Sequence, residues 1–439
     1  MFKKILPLSA ILSLSFLGLF LVLPVISVFA LELEGSTPFL VGMVVGGYAL
    51  TQAIFQLPLG ALSDKIGRKP TLLLGLLIFL VGSLICAFST DIYTLMAGRF
   101  LQGAGAIGSV VTAMISDVVA EEIRGKAMAI MGASIALSFA AAMGLGPVIS
   151  GKFGISSLFF ITATLAVFAI ILLFTKVPTP PKIKHIYHAT AKKSDILKNP
   201  NLLNMIVINA MQKALITVAF VLIPIVLTKD FGWQKNELWM AYAPAMLLGL
   251  AAMGPAAVFG EKHNKPKQIF LLSILLFIGA FLIMGLTASS TIFVVGVVMF
   301  FIAFNMMEPL VQSMITKFAK VHQKGVAIGT SNSVAYFMTF IGGTSAGLFL
   351  GISDRATIGV SVAIIAAIWF LWTLKLQNPL KYSHLYLAQD SVDLNKLETL
   401  ENEHIAEWYI NQSENIVAIK FLKDALSGDE LTAKISKSS

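Results

Sequence analysis

The sequence predicts an all-α membrane protein with twelve transmembrane helices in two six-helix halves, followed by a small C-terminal α+β module. Of its 439 residues, 57% are hydrophobic and only 13% are charged, whereas soluble domains carry about 25% charged residues. The hydrophobic residues form long runs bounded by charges, proline and glycine. The runs do not alternate as the strands of a membrane barrel do, and a backbone in hydrocarbon must satisfy its own hydrogen bonds, so each run should form a helix.

Each run is long enough to cross the hydrocarbon core, which takes about 20 helical residues. The expected spans are 5–30, 37–62, 70–89, 92–117, 126–150, 155–175, 202–228, 238–260, 267–287, 291–316, 324–350 and 355–375. No segment has the spacing of a phosphate-binding Walker loop, so ATP-driven pumping by this chain alone is not expected. The single cysteine, Cys86, lies inside an apolar run, so no disulfide can form within the monomer.

Basic residues lie almost entirely in alternate loops, and this asymmetry predicts the orientation of the chain. One set of loops carries most of the Lys and Arg residues, with the densest cluster at 176–198. The other set carries only Lys152, Lys229, Lys235 and Arg355. Because cytoplasmic loops are enriched in Lys and Arg, both termini are expected in the cytoplasm. The net charge of +9 follows from this pattern, and nucleic acid is not an expected partner.

The two halves of the membrane part repeat each other in sequence. The segment GALSDKIGRKP at 60–70 recurs as AVFGEKHNKPK at 257–267, with Glu261 and Lys265 at the positions of Asp64 and Arg68 but without the glycines. Parallel repeats of this kind place a transport site at the interface between halves and favour alternating access. The expected units are an N-terminal half at 1–175, a cytoplasmic linker at 176–200, a C-terminal half at 201–378 and a cytoplasmic module at 383–439.

The C-terminal module differs from the rest of the chain in being polar and amphipathic. Residues 384–389, 405–410 and 415–422 have the pattern of strands, while 392–400 and 429–435 have helical apolar faces. The expected order is therefore strand–helix–strand–strand–helix. A disordered tail is the alternative, but the strands are too apolar for it to be favoured.

The loop after the second span carries a dense pattern of glycine and charge. Asp64 and Arg68 are four residues apart and can share a helical face or a tight turn, which Gly67 would permit. Asp117 ends the fourth span at the same face and is placed to pair with Arg68. Water is partly excluded there, so such a pair should be stronger than a surface salt bridge. The full set of candidate residues is Gly60, Asp64, Gly67, Arg68, Lys69 and Asp117.

Arg99, Lys213 and Glu308 are ionisable residues that lie well inside the spans. A charge in hydrocarbon costs about 3 kcal/mol or more, so each should face a partner or a wet cavity. Glu308 shares a helical face with Asn305 and Gln312. Protonation of Glu308 would remove a buried charge and so could couple proton binding to conformation. The alternative is a structural ion pair of Glu308 with Lys213 or a neighbour, and either Lys213 or Arg99 could lie nearby.

The sequence resembles the major facilitator superfamily in three motifs. Residues 60–69 are similar to motif A of the family, G-x-L-x-D-R/K-x-G-R-K/R, and Arg99 with Gln102 resembles motif B, R-x-x-Q-G. The fifth span resembles the antiporter motif C at Gly144, Gly146, Pro147 and Gly151. The similarity covers about residues 5–375. The added module resembles that of the YajR-like subgroup, proton-driven drug exporters with a ferredoxin-like tail, although the final strand of that fold is missing.

This resemblance implies the major facilitator fold and a secondary transporter, not an enzyme, that needs no cofactor and uses the proton gradient. It also implies a multi-pass protein of a bacterial inner membrane. It also implies that Asp64, Arg68 and Asp117 latch the halves together at the cytoplasmic side, and that Arg99 takes part in proton coupling. Because the second copy of motif A is degraded, the latch should be asymmetric.

The first functional hypothesis is a monomeric, proton-coupled antiporter that exports small apolar or amphipathic molecules. Its expected partners are the substrate, protons and the lipid bilayer. Two alternatives stay open: a proton symporter that imports a polar solute, and a membrane sensor that signals through its tail. The cavity is expected to be apolar, adaptable and rich in Met, with aromatic candidates Phe20, Phe220, Tyr242, Phe301, Phe304 and Tyr336.

Overall fold

A computed structural model describes residues 2–119, 121–177, 193–319, 323–379, 382–400, 405–411, 415–422 and 427–436. Within these residues, twelve helical segments are long and apolar enough to cross a membrane. The predicted helical membrane fold is therefore confirmed. Most of the predicted linker, residues 178–192, lies outside the described part of the chain.

The first six spans are built from eight helices, because two spans are interrupted. The helices are α1 (Phe2–Val22), α2 (Ile26–Ala30), α3 (Pro38–Ile66), α4 (Arg68–Ala87), α5 (Ile92–Ala104), α6 (Gly108–Val118), α7 (Glu121–Phe153) and α8 (Ile155–Thr175). The continuous span predicted at 5–30 is wrong, since the helix breaks after Val22, where Pro24 has no N–H to donate. The span predicted at 92–117 breaks after Ala104, where Gly105 packs against the main chain of Gly75.

The second set of six spans follows a short helix that precedes it. These helices are α9 (Lys193–Lys198), α10 (Pro200–Ile225), α11 (Trp239–Lys262), α12 (Pro266–Leu286), α13 (Ser290–Phe318), α14 (Lys324–Ile352) and α15 (Arg355–Thr373). A π-helical turn, Val226–Asp230, extends α10. With an even number of spans, α1 begins and α15 ends at the same side of the bundle, called here the terminal face; the other side is called the opposite face.

Polar caps begin several of the helices that start at the opposite face. The side chains of Thr37, Asp91, Ser289 and Asp354 each accept a hydrogen bond from a main-chain N–H of the helix that follows. The hydroxyl and N–H groups of Thr94 hold the pKa of Asp91 below its usual value, and those of Thr357 act likewise on Asp354. Polar caps at this face thus fix where these spans begin.

The two halves meet mainly through α3 against α14 and α7 against α11. At the first crossing, a Cβ added to Gly42 would lie 2.2 Å from the carbonyl oxygen of Gly343, and one added to Gly46 would lie 2.9 Å from the Cα of Phe340. Only glycine allows two helix backbones to approach this closely. Because α3 begins and α14 ends at the opposite face, these contacts join the halves near that face.

The C-terminal module follows the predicted order of elements. Its strands are β1 (Tyr382–Ala388), β2 (Ile405–Asn411) and β3 (Ile416–Leu422), and its helices are α16 (Leu394–Leu400) and α17 (Gly428–Ile435). The sheet is antiparallel in the order β1-β3-β2. The alternating residues Val417, Ile419 and Phe421 of β3 pack with Leu397 and Leu431 in one apolar core.

The module rests on the membrane part through Lys420 of β3. This side chain is 8% exposed, and its Nζ donates to the main-chain carbonyl of Lys317 at the end of α13, at 3.2 Å. Burial lowers the pKa of Lys420; neighbouring Lys324 lowers it further, and Glu407 opposes both effects. An ammonium group suits this place because the last carbonyls of a helix carry partial negative charge.

Candidate functional site

The motif A residues form a charge cluster at the terminal face of the first half. Gly67, with φ of +102°, separates α3 from α4 and so turns Arg68 back toward α3. The guanidinium donates to Asp117 at 2.7 Å and to Asp64 at 2.6 Å. It also donates to Ser63 at 2.6 Å. The structure therefore brings together the three charged residues that the sequence singled out, all within one half.

The remaining members of motif A lie around this cluster. A Cβ on Gly60 would meet Ser109 of α6 at 3.4 Å, so Gly60 lies at a close helix crossing. Lys69 occupies the first turn of α4, one residue after Arg68. The cluster thus fastens the α3–α4 turn to the end of α6, and its role as a latch between the halves stays a prediction.

The second half carries a charge pair with the signs exchanged. Glu261, at the end of α11, accepts hydrogen bonds from Lys317 and Ser313 of α13. Lys317 stands 200 residues after Asp117, just as Gly351 stands 200 residues after Gly151. In the first half the acid Asp117 ends the fourth span and pairs with Arg68 at the start of the third, whereas in the second half the base Lys317 ends the fourth span and pairs with Glu261 at the end of the second.

Arg99, the motif B residue, is completely buried within the first half. Its guanidinium donates to Gln102 at 2.8 Å and to the carbonyl of Val44 at 3.3 Å, and it lies 4.7 Å from the ring centroid of Tyr48. Gln102 in turn donates to Ser83 at 3.0 Å. The charge is thus held by dipoles and an aromatic face, and its Nη2 has no hydrogen-bond partner among the described residues.

Glu308 forms the central polar contact of the second half. Both of its carboxylate oxygens accept from the Nζ of Lys213 at 2.8 Å. One oxygen also accepts from Gln212 at 3.0 Å. The ammonium of Lys213 lies 4.9 Å from the ring centroid of Phe304. The ion pair weighed from the sequence is present, and it joins α10 to α13 in the middle of the membrane.

The other two polar residues of this α13 face contact different neighbours. Asn305 is buried, donates to the carbonyl of Phe301 and lies against Gly249 of α11. Gln312 is exposed and donates to Asn332 of α14 at 2.9 Å. Asn305, Glu308 and Gln312 therefore share a helix face, as expected, yet they contact three separate helices and not one common ligand position.

Aromatic rings from both halves close the centre of the bundle. Phe139 of α7 lies 5.0 Å from Phe20 of α1. From the second half it is approached by Phe220 at 6.2 Å, Phe301 at 6.5 Å and Phe304 at 5.9 Å. We call these five residues the aromatic cluster. Of the expected aromatic lining, the structure joins Phe20, Phe220, Phe301 and Phe304 in this cluster, and Tyr242 contacts two of its rings, Phe220 and Phe301. Phe139 was not among the residues predicted from the sequence.

Exposure along the inner face of α13 increases toward the terminal face. Along α13, Phe304 is 5% exposed, whereas the side chain of Glu308, one turn nearer that face, is 41% exposed. Because Glu308 is bonded to α10 inside the bundle, we infer that its exposure comes from a cavity that opens toward the terminal face. Toward the opposite face the halves are joined by Lys235 with Glu32 at 2.5 Å and by Ser27 with the carbonyl of Phe220 at 3.1 Å.

The glycines of motif C differ in what they contact. A Cβ on Gly146 would lie 2.2 Å from the carbonyl oxygen of Leu21 in α1. One on Gly151 would lie 2.4 Å from Asn236 of the second half, at the closed opposite face. Pro147 lies inside α7, and Gly144 has no neighbour within 4 Å in the described structure. Two of the three glycines are thus at close contacts.

Gln212 is the residue of this site that the sequence reasoning missed. It is completely buried and bonded to Glu308. The sequence could have indicated it, because Gln212 is an amide directly before Lys213 within an otherwise apolar span. A buried amide requires hydrogen-bond partners, so it marks a polar site.

Comparisons with known proteins agree with this architecture. A sequence profile of the Major Facilitator Superfamily matches residues 8–343 and 206–386. The chain is 36% identical over 428 residues to the inner membrane transport protein YajR of Escherichia coli, covering 94% of this chain and 92% of that protein. It is 26% identical over 362 residues to multidrug resistance protein 2 of Bacillus subtilis, covering 77% and 86% of the two chains.

Solved structures show the same fold at low sequence identity. The nucleoside transporter NupG superposes with a TM-score of 0.69 at 15% identity, covering 84% of this chain and 100% of that chain. A bacterial homologue of the human lysosomal transporter Spinster, in an inward-facing and occupied conformation, superposes with a TM-score of 0.65 at 15% identity, covering 86% and 98%.

Proposed function

Because the chain belongs to the major facilitator superfamily and is a membrane transporter and not an enzyme, we propose that it is a proton-coupled antiporter for small apolar or amphipathic molecules. Transport would follow alternating access, with the halves rocking about the α3–α14 and α7–α11 contacts. The terminal face would be the cytoplasmic side of a bacterial inner membrane, as the positive-inside pattern predicts.

The observation that carries this proposal is the Lys213–Glu308 pair in the open cavity. Its side chains are 27% and 41% exposed, so protons can reach it from the terminal face. A proton on Glu308 would cancel the ion pair that joins α10 to α13 and leave Lys213 charged. The energy of the pair would thus depend on protonation, which is the requirement for linking a proton to a change of state.

The aromatic cluster supports an apolar or amphipathic substrate. Its five rings pack together, and Phe304 lies against the Lys213 ammonium, so the cluster would form the floor of the inferred cavity. A ligand with an apolar body and one polar group could place the first on the rings and the second near Glu308. The similarity to a protein named for multidrug resistance supports the same substrate class.

Export is supported by the motif C contacts of α7. Gly146 lets α7 approach α1, and Gly151 lets it approach the second half at the opposite face. Both contacts belong to the state in which the opposite face is closed and the cavity opens to the terminal face. In an exporter this is the state that loads substrate from the cytoplasm.

The proposal is tested by Glu308→Gln in proteoliposomes with ethidium as the transported probe. We expect the variant to exchange ethidium across the membrane but to lose accumulation driven by a pH gradient, because Gln keeps the shape of a protonated Glu without its titration. The control is Glu261→Gln, which removes an acid outside the cavity. If Glu308→Gln still concentrates ethidium, Glu308 does not carry the coupled proton. If the wild type neither exchanges nor accumulates ethidium, the proposed substrate class is wrong.

A second candidate, a sensor that signals through its tail, is favoured by the contact of Lys420 with the end of α13. The same helix carries Glu308, so a movement of α13 would change its contact with the module. A sensor would bind ligand without moving protons across the membrane, and the proteoliposome assay separates the two.

A further inference from the structure

The side chain of Gln212 makes two hydrogen bonds through one end only. It lies on α10 with no exposure to solvent. Its Nε2 donates to Glu308 at 3.0 Å and to the main-chain carbonyl of Phe304 at 3.0 Å. Its Oε1 is buried and has no hydrogen-bond partner in the described structure. A buried acceptor without a partner is costly, so its retention in the middle of the site calls for a reason.

The reason lies in the chemistry of the group that Gln212 contacts. A carboxylate only accepts hydrogen bonds, whereas a neutral carboxylic acid must also donate one. Lys213 can serve only the charged form, since an ammonium group has no acceptor. An amide can serve both forms, because rotation about its last bond exchanges the N–H donor for the carbonyl acceptor.

We propose that Gln212 is a positioning residue that keeps Glu308 on α10 in both of its charge states. In the charged state its N–H donates to the carboxylate, as observed. When Glu308 takes a proton from water in the cavity, the Lys213 pair is lost, and the carbonyl of Gln212 accepts the new O–H. This inference rests on the proposed function, because it assigns to Glu308 the proton that transport would use.

Water can reach the exposed side of Glu308, but on the buried side Gln212 is the described protein group placed to accept the O–H. Among the described residues, the titratable groups that face Glu308 are Lys213 of α10 and Tyr336 of α14. Arg99 is engaged within the first half. Asn332 of α14 already accepts from Gln312 and from Asn209. The amide of Gln212 is therefore the buried neutral group in direct contact with the carboxylate.

The test is infrared difference spectroscopy of the purified full-length protein as the pH is changed. A protonated carboxyl has a C=O band of its own, and the part that disappears in Glu308→Gln belongs to Glu308. In Gln212→Met, which keeps length and volume, this band should appear at a pH about one unit higher, because the hydrogen bond lost from the charged form is stronger than the one lost from the neutral acid. Its frequency should rise, since the acid loses a partner.

Two further variants make the result specific. Gln212→Asn keeps an amide but is too short to reach, so it should shift the band as Met does. Gln52→Met alters another buried glutamine, on α3 of the first half, and should leave the Glu308 band unchanged. A Glu308 band of wild-type midpoint and frequency in both Gln212 variants would overturn the proposal. The measurement needs no substrate, so its result is independent of the transport assay that tests the proposed function.

Discussion

Arg68 lies between two acids in very different surroundings, and this predicts a large difference between two similar substitutions. The side chain of Asp117 is 6% exposed and that of Asp64 is 65% exposed, while Arg68 itself is 14% exposed. Asp117→Asn should therefore strongly destabilise the protein, whereas Asp64→Asn should change its stability little.

The magnitudes follow from burial. Removing one partner of a buried ion pair costs about 3–5 kcal/mol, because the other charge stays buried without compensation. We expect Asp117→Asn at the lower end, about 3 kcal/mol or less, since Arg68 keeps its ion pair with Asp64 and the amide oxygen can still accept from Arg68. An exposed pair contributes at most about 1 kcal/mol, so Asp64→Asn should lie below that value.

The assay is thermal unfolding of the purified variants in one detergent, with transport measured in parallel. The control is Asp230→Asn, which breaks an exposed ion pair with Arg355 at the opposite face and should match Asp64→Asn in stability. Asp64→Asn should nevertheless transport poorly, because the latch is expected to act when the terminal face closes. Equal melting temperatures for Asp117→Asn and Asp64→Asn would refute the reasoning from burial.

Two further predictions follow from single contacts. Gly146→Ala should reduce stability and transport together, because its Cβ would lie 2.2 Å from the Leu21 carbonyl oxygen. In Gly144→Ala the added Cβ would have no neighbour within 4 Å, so this variant should behave as wild type in the same thermal and transport assays. Equal behaviour of the two variants would contradict the packing argument. Truncation after Pro379 should leave the membrane part folded, as judged by gel filtration, with transport altered, and Lys420→Met should reproduce the change because it removes the hydrogen bond to α13. A truncated chain that does not insert into the membrane would make the module part of the core.

Local patterns were enough to predict the elements of this protein. A run of apolar residues long enough to cross a bilayer must form a helix wherever it lies, so the number of spans followed from composition and spacing. The order of strands and helices in the module followed from apolar periodicity in the same way. The breaks in the first and fourth spans were missed because a single Pro24 or Gly105 within an apolar run is compatible with a continuous helix as well as with a broken one.

Which charged residues form ion pairs in the candidate site depends on which spans become neighbours in the fold. The sequence placed Arg68 near Asp117, 49 residues away, because both end a span at the same face. It left open whether Glu308 meets Lys213 or Arg99, since all three lie inside spans and depth alone does not select a partner. The fold decides for Lys213, 95 residues away, by packing α13 on α10.

The sequence by itself therefore determined a twelve-span membrane transporter fold, its repeat and its charged turn, because each depends on residues close together in the chain. Only the tertiary structure decided that the bundle is closed at the opposite face, that five rings from both halves seal its centre and that Gln212 holds Glu308. These features arise where distant helices meet, and a buried charge or amide takes its properties from the groups that packing brings within hydrogen-bond distance.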